Sequence, residues 1–144
     1  MNKYKAGDLF TIPLKDSRWA VGQVVCALQD RLSKAFSFGV VSIADEPHVP
    51  DVDCEFITFD SDGKPVQLIF AASSNMRRNW KVVGHLPLTQ SKQKMQWFHC
   101  GGQLYHNDEW IRVLPIEEYS KYPAMSVYGN ELVQIRLTGY QPDS

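Results

Sequence analysis

"GDLFTIPLKDSRWAVGQVV", Gly7 to Val25, is the stretch that decides the fold. Phe10, Ile12 and Leu14 are apolar at every second position, with Thr11, Pro13 and Lys15 between them or following. Side chains on a strand alternate between faces, so this spacing predicts a half-buried strand over 8–14. Pro13 has no backbone N–H and suits an edge or a strand end. Lys15-Asp16-Ser17-Arg18 is a polar break able to close a hairpin, without the Asn-Gly or Asp-Gly that would fix its turn type. The chain resumes as a second strand over 19–27. Ala20 and Gly22 share one face, and Trp19, Val21, Gln23 and Val25 share the other. Glycine inside a strand marks a bend or a close backbone approach. The opening therefore reads as the first hairpin of a curled β-structure and contains no nucleophile with a base.

Working outward, Phe36–Ile43 reads as a third strand with Gly39 at a bend, followed by a loop broken by Pro47 and Pro50. Glu55–Phe59 alternates weakly, and Ser61-Asp62-Gly63-Lys64 is a turn. Val66–Ala72 reads as one central strand, and 73–79 as a loop or short helical turn. Trp80–Val83 is a strand, and the stretch from Gly84 to Lys94 an irregular connection. Met95–Cys100 and Leu104–His106 flank Gly101-Gly102 as a short hairpin, and Trp110–Leu114 is a further strand. Pro115–Tyr119 can open a short helix, because proline suits its first turn and acids suit its positive end. Glu131–Leu137 alternates as a last strand. Long helical periodicity is missing, so the expected fold is mainly β: a strongly bent antiparallel sheet or partial SH3-like barrel with one or two short helices.

With 144 residues, 44% of them hydrophobic and 22% charged, the chain is expected to form one domain, 1–144, with a substantial core. No apolar run is long enough to span a bilayer, and "MNKYKAGDLF" lacks the apolar centre of a secretory signal. Cys26, Cys54 and Cys100 are odd in number and widely spaced, which argues against a disulfide framework and for a reducing cytoplasm. The net charge of −1 conceals segregation. Asp45, Glu46, Asp51, Asp53, Glu55, Asp60 and Asp62 form an acidic block without a base. Lys64, Arg77, Arg78, Lys81, Lys92 and Lys94 form a basic block without an acid. Such blocks either steer a charged partner or face and cancel each other.

His99, Cys100 and His106, with His85 or Cys54 as a fourth, are the candidate metal ligands. Zinc accepts such donors. The usual closely spaced cysteine pair is missing, however, and adjacent His99 and Cys100 would point to opposite faces of a strand, so no metal and no cofactor is assigned. Cys100 with His99 or His85 as base lacks the surroundings of an activated nucleophile, so no catalytic residue is assigned. Trp80 and Trp110 read as core residues at strand starts, with Trp19 and Trp97 less determined. Aromatics on β-scaffolds can stack bases, but without net basic character a nucleic-acid partner would rest on the basic block alone.

"KAGDLFTIPLKDSRWAVGQVV" and, downstream, "NWKVVGHLPL" together resemble the immunity protein 26 family of bacterial polymorphic toxin systems. The shared features are a Gly-Asp at the first strand, an apolar-x-apolar-Pro-Leu run, an aromatic then Gly-Gln-Val in the second strand, and a Trp-x-Val-x-Gly stretch leading into Pro-Leu. The resemblance covers the first strand pair and the region from Asn79 to Leu88. It implies a non-enzymatic cytoplasmic protein that binds and neutralises a cognate toxin domain, such as a basic nuclease. Asp45, Glu46, Asp51 and Asp53 are then the expected toxin-binding residues, since charge complementarity speeds association and selects partners. The alternative is a small β-barrel that binds nucleic acid or acts as a ribonuclease toxin.

Overall fold

The computed structural model describes residues 3–61, 63–78 and 80–140. Asp62 of the acidic block and Asn79 ahead of Trp80 lie outside the described residues, while the rest of the expected turn is present, with Ser61 paired to Lys64 and Gly63 at φ 81°. Strands hold 41% of the described residues and helices 20%, so the protein is mainly β. The opening forms the expected hairpin. Strand β1 (Asp8–Pro13) pairs antiparallel with β2 (Trp19–Ala27), placing Phe10 opposite Gly22 and Pro13 opposite Trp19. Ser17, at φ 73°, takes the left-handed position of the turn. Pro13 ends β1, where its missing N–H costs the ladder nothing.

Strand β3 (Ala35–Ala44) continues the sheet on the far side of β2. The next strands are a small hairpin, β4 (Phe59–Ser61) and β5 (Lys64–Val66), followed by β6 (Ile69–Ala72). Helix α1 (Ser74–Arg78) leads into β7 (Lys81–His85). Helix α2 (Gln90–Gln93), capped by the Thr89 hydroxyl, and a 3-10 turn over Lys94–Gln96 precede β8 (Trp97–Cys100). With β9 (Gln103–His106) and β10 (Glu109–Val113), β8 makes a three-stranded meander turned at Gly101-Gly102. A 3-10 turn over Ile116–Lys121, strand β11 (Val127–Tyr128) and helix α3 (Asn130–Thr138) complete the described chain.

The main sheet runs β11-β6-β3-β2-β1-β7 and stays open, with β11 and β7 at its edges. It is mixed rather than purely antiparallel, because β11 lies parallel to β6. Register shifts between β2 and β3, and between β1 and β7, introduce the bends expected of bulged strands. The central strands of this sheet are buried on both faces. One carries Phe10, Phe36, Phe38 and Trp80 beneath Val133 and Leu137 of α3. A second cluster of Val25, Cys26, Phe70 and Phe98 joins the main sheet to the meander. β1 is consequently buried at every position from Asp8 to Ile12, where alternation predicted one wet face, and β2 is equally enclosed. Strands covered on both faces lose the polar-out half of the pattern.

Four further expectations are corrected. Residues 131–137 are helical, not a strand. Val133, Gln134 and Leu137 are buried while Leu132 and Ile135 face solvent, which is a helical stripe that the apparent alternation concealed. Gln134 fixes the helix by accepting from the Lys15 N–H and donating to the Pro13 carbonyl at the end of β1. The expected strand 66–72 is interrupted at Gln67-Leu68, and the Gln67 side-chain amide donates to the Phe56 carbonyl. The described residues hold three short α-helices rather than one or two, α2 lying in the connection read as irregular. Trp110 is about half exposed on the outer strand of the meander, not core, whereas Trp80 is buried as expected. No helix among the described residues is long and apolar enough to cross a membrane.

Burial also sets an alkaline limit. It pushes the Cys26 thiol from 9.0 up to about 12 and the Tyr4 hydroxyl from 10.0 up to about 12. Folding therefore favours the protonated forms. Their stabilising contribution is complete below the unfolded values of 9.0 and 10.0 and is lost as pH rises towards about 12. Urea midpoints should accordingly fall between these limits, and replacing Cys26 by Ala should flatten the lower part of the fall. A slope unchanged in that variant would exclude the thiol as a cause.

Candidate binding surface

The segment between β3 and β4 crosses one face of the main sheet, and local packing explains its course. Gly39 leaves space for Phe56: a Cβ at Gly39 would lie 2.3 Å from the Phe56 ring. Phe56 is itself buried with Phe70 and Phe98. Just upstream of Phe56 the segment is held by Lys92 of α2, which is almost completely buried and spends its three ammonium protons on protein acceptors. Its Nζ donates to Gln23 Oε1 at 2.7 Å, to Asp53 Oδ1 at 2.6 Å and to the Cys54 carbonyl at 2.7 Å. The Phe56 ring centroid lies 4.2 Å away. Gln23 is held in turn by donating its amide to the Leu86 carbonyl. A buried cation is tolerable when its protons are all satisfied and an opposite charge is adjacent.

This arrangement separates the expected toxin-binding residues into two kinds. Asp45, Glu46 and Asp51 are exposed and make no ion pair among the described residues. Asp53 is the anchor, partly exposed but tied to Lys92. Lys92–Asp53 is also the ion pair joining the acidic and basic blocks, so the remaining charges do not cancel by direct contact among the described residues. Arg77 and Arg78 end α1, and Lys81 begins the edge strand β7, all three exposed. The result is a firmly anchored acidic loop rimmed by Val49 and Val52, both exposed.

The other candidates are dispersed. His99 is buried in β8, accepts the Gly102 N–H on Nδ1 at 3.3 Å, and lies against Tyr119 at 4.9 Å. Cys100 follows it with no attached base, and His106 stacks on Trp97 at 4.6 Å. The Cys54 thiol donates to the Val52 carbonyl. Among the described residues, no three His, Cys, Asp or Glu side chains gather as a metal set. His85 instead pairs with Asp8 at 2.9 Å, and Gly7, at φ 95°, lets the chains meet: a Cβ there would lie 2.5 Å from the Leu86 carbonyl. The Gly-Asp and Val-x-Gly-His stretches of the sequence are thus neighbours across β1 and β7.

Sequence reading missed Lys92, Gln23 and the Asp8–His85 pair. The available signal for Gln23 was an amide inside an otherwise apolar strand, which must find buried partners. Nothing local distinguishes Lys92 from Lys94. No protein-family model, curated protein or solved structure matches the chain.

Proposed function

We propose that this chain is a non-enzymatic immunity protein that binds and neutralises a cognate toxin domain through the acidic loop. The observation that carries the reading is the loop's anchorage: exposed acids are held on a sheet by a buried lysine with every proton engaged. Loops fixed on a rigid scaffold are effective recognition elements, and prior ordering lowers the cost of binding. Asp45, Glu46 and Asp51 supply the field that draws in a basic partner, and Asp53 fixes their support. The immunity protein 26 resemblance gives the same class, with the cytoplasm of a toxin-producing bacterium as its setting.

Expression in a bacterium separates this reading from a ribonuclease toxin. The chain alone should leave growth unchanged, and it should restore growth when co-expressed with its cognate toxin domain, to be sought in the neighbouring gene. Growth arrest by the chain alone would overturn the proposal. In the purified pair, Asp45→Asn, Glu46→Gln and Asp51→Asn together should slow association about tenfold at low salt and less at high salt. An unchanged rate at low salt would remove the loop from the interface.

A further inference from the structure

Beside the acidic loop lies a groove of opposite charge. Two adjoining cavities of about 900 and 410 Å³ share Leu68, Met95, Lys121, Tyr122 and Pro123 in their walls. Lys64 and Lys94 complete a rim of three lysines, and no acidic residue lines either cavity. Its apolar floor continues into the core cluster that contains Phe56. His99, more than nine-tenths buried, also lines the larger cavity. Its Nδ1 accepts from the Gly102 N–H at 3.3 Å. The groove therefore presents three cations over an apolar floor. It suits an extended acidic segment with apolar side chains.

Its rings favour a peptide over a nucleic acid. Trp97 lies between His106 at 4.6 Å and Tyr122 at 6.5 Å, and Tyr119 lies against His99. Each of these rings already has an aromatic neighbour, which reduces the open face available for stacking a base. Edges carry the positive part of the aromatic quadrupole and attract carboxylates, whereas bases need open faces.

We propose that the groove receives the acidic loop of a second copy of this chain, forming a reciprocal two-fold dimer. The loop has the matching chemistry: Glu46, Asp51 and Glu55 are exposed, and Val49 and Val52 stand out between prolines and acids. The two surfaces are also contiguous. Phe56 at the loop's end accepts from Gln67 in the groove wall, and Lys92 holds the loop two residues before Lys94 of the rim. With loop and groove side by side, one two-fold axis places each loop in the other's groove, which closes the assembly. The contact then occurs twice, so an interface of about 1,200 Å² requires only about 600 Å² from each. A net charge of −1 opposes this approach little. The loop is shared with the immunity reading, so the dimer would withhold it until a toxin competes.

The test uses the chain alone, so its outcome is independent of toxin binding. Sedimentation velocity should show a concentration-dependent dimer that weakens at least about tenfold between roughly 0.1 and 1 M salt, as the screening length shrinks. Lys64→Glu with Lys94→Glu and Lys121→Glu should give a monomer. Glu46→Lys with Asp51→Lys and Glu55→Lys should do the same. Mixing these two variants should restore a dimer, because both contacts are again attractive, and that restoration also shows both to be folded. A wild-type chain that stays monomeric, a dimer indifferent to either set, or a mixture that stays monomeric would overturn the proposal. So would a monomer whose groove takes an acidic peptide or an oligonucleotide instead.

Discussion

Phe10→Ala should lower the free energy of unfolding by about 3–5 kcal/mol, the range for removing a buried aromatic ring and leaving a cavity. Phe10 is completely buried at the centre of the ring cluster, 5.1 Å from Phe38 and stacked on Trp80 at 5.8 Å. Its space is built by its partner strand: a Cβ at Gly22 would lie 2.7 Å from the ring. The neighbours are large rings with fixed contacts, so the hole cannot collapse fully. Urea titration followed by tryptophan fluorescence would measure the loss directly, since Trp80 reports the cavity. A loss below about 1 kcal/mol would show that the cluster repacks.

Lys92→Ala should cost about 2–4 kcal/mol. Removing one member of a buried pair leaves uncompensated polar groups and typically costs about 3–5 kcal/mol. Here the Asp53 side chain is 39% exposed and keeps water, which reduces the cost, while Gln23 and the Cys54 carbonyl lose their donor. Lys92→Met, which keeps the stem against Phe56, should recover part of the loss. Asp53→Asn should cost less than Lys92→Ala, and the double variant should be less destabilising than the sum. Strict additivity in that cycle would mean that the pair is not coupled. Limited proteolysis gives a second readout: freed from Lys92, residues 45–58 should be cut faster than the sheet, at the same distance from the global transition.

The hairpin was legible because Phe10-x-Ile12 and the polar break at 15–18 are local signals whose meaning does not depend on the rest of the chain. Gly101-Gly102 was legible for the same reason, since both residues take positive φ in the turn. Segment 131–137 was not, because apolar residues at 133, 135 and 137 satisfy a strand's period, while 133 and 137 satisfy a helix's. Only the tertiary partner chooses, and Ile135 is left outside. The loop's acidity and exposure could be read from composition and prolines. Its anchorage could not, because Lys92 reaches Asp53 across 39 residues and no local pattern encodes such a meeting. The groove lysines, similarly, come from three separate segments.

The side-chain amide of Gln134 joins positions 119 and 121 residues away, at Lys15 and Pro13. The first hairpin needs only its own neighbours and can form early, on the timescale of microseconds. Its apolar face, with Phe10 and Ile12, remains open until the much later helix α3 arrives. Closing so long a loop costs entropy before any contact is gained, which places the protein among slow folders dominated by distant pairings. During synthesis, Phe10 and Ile12 emerge long before Val133 and Leu137, and the interval in which they lack that cover is when the chain is most exposed to aggregation and to chaperone capture.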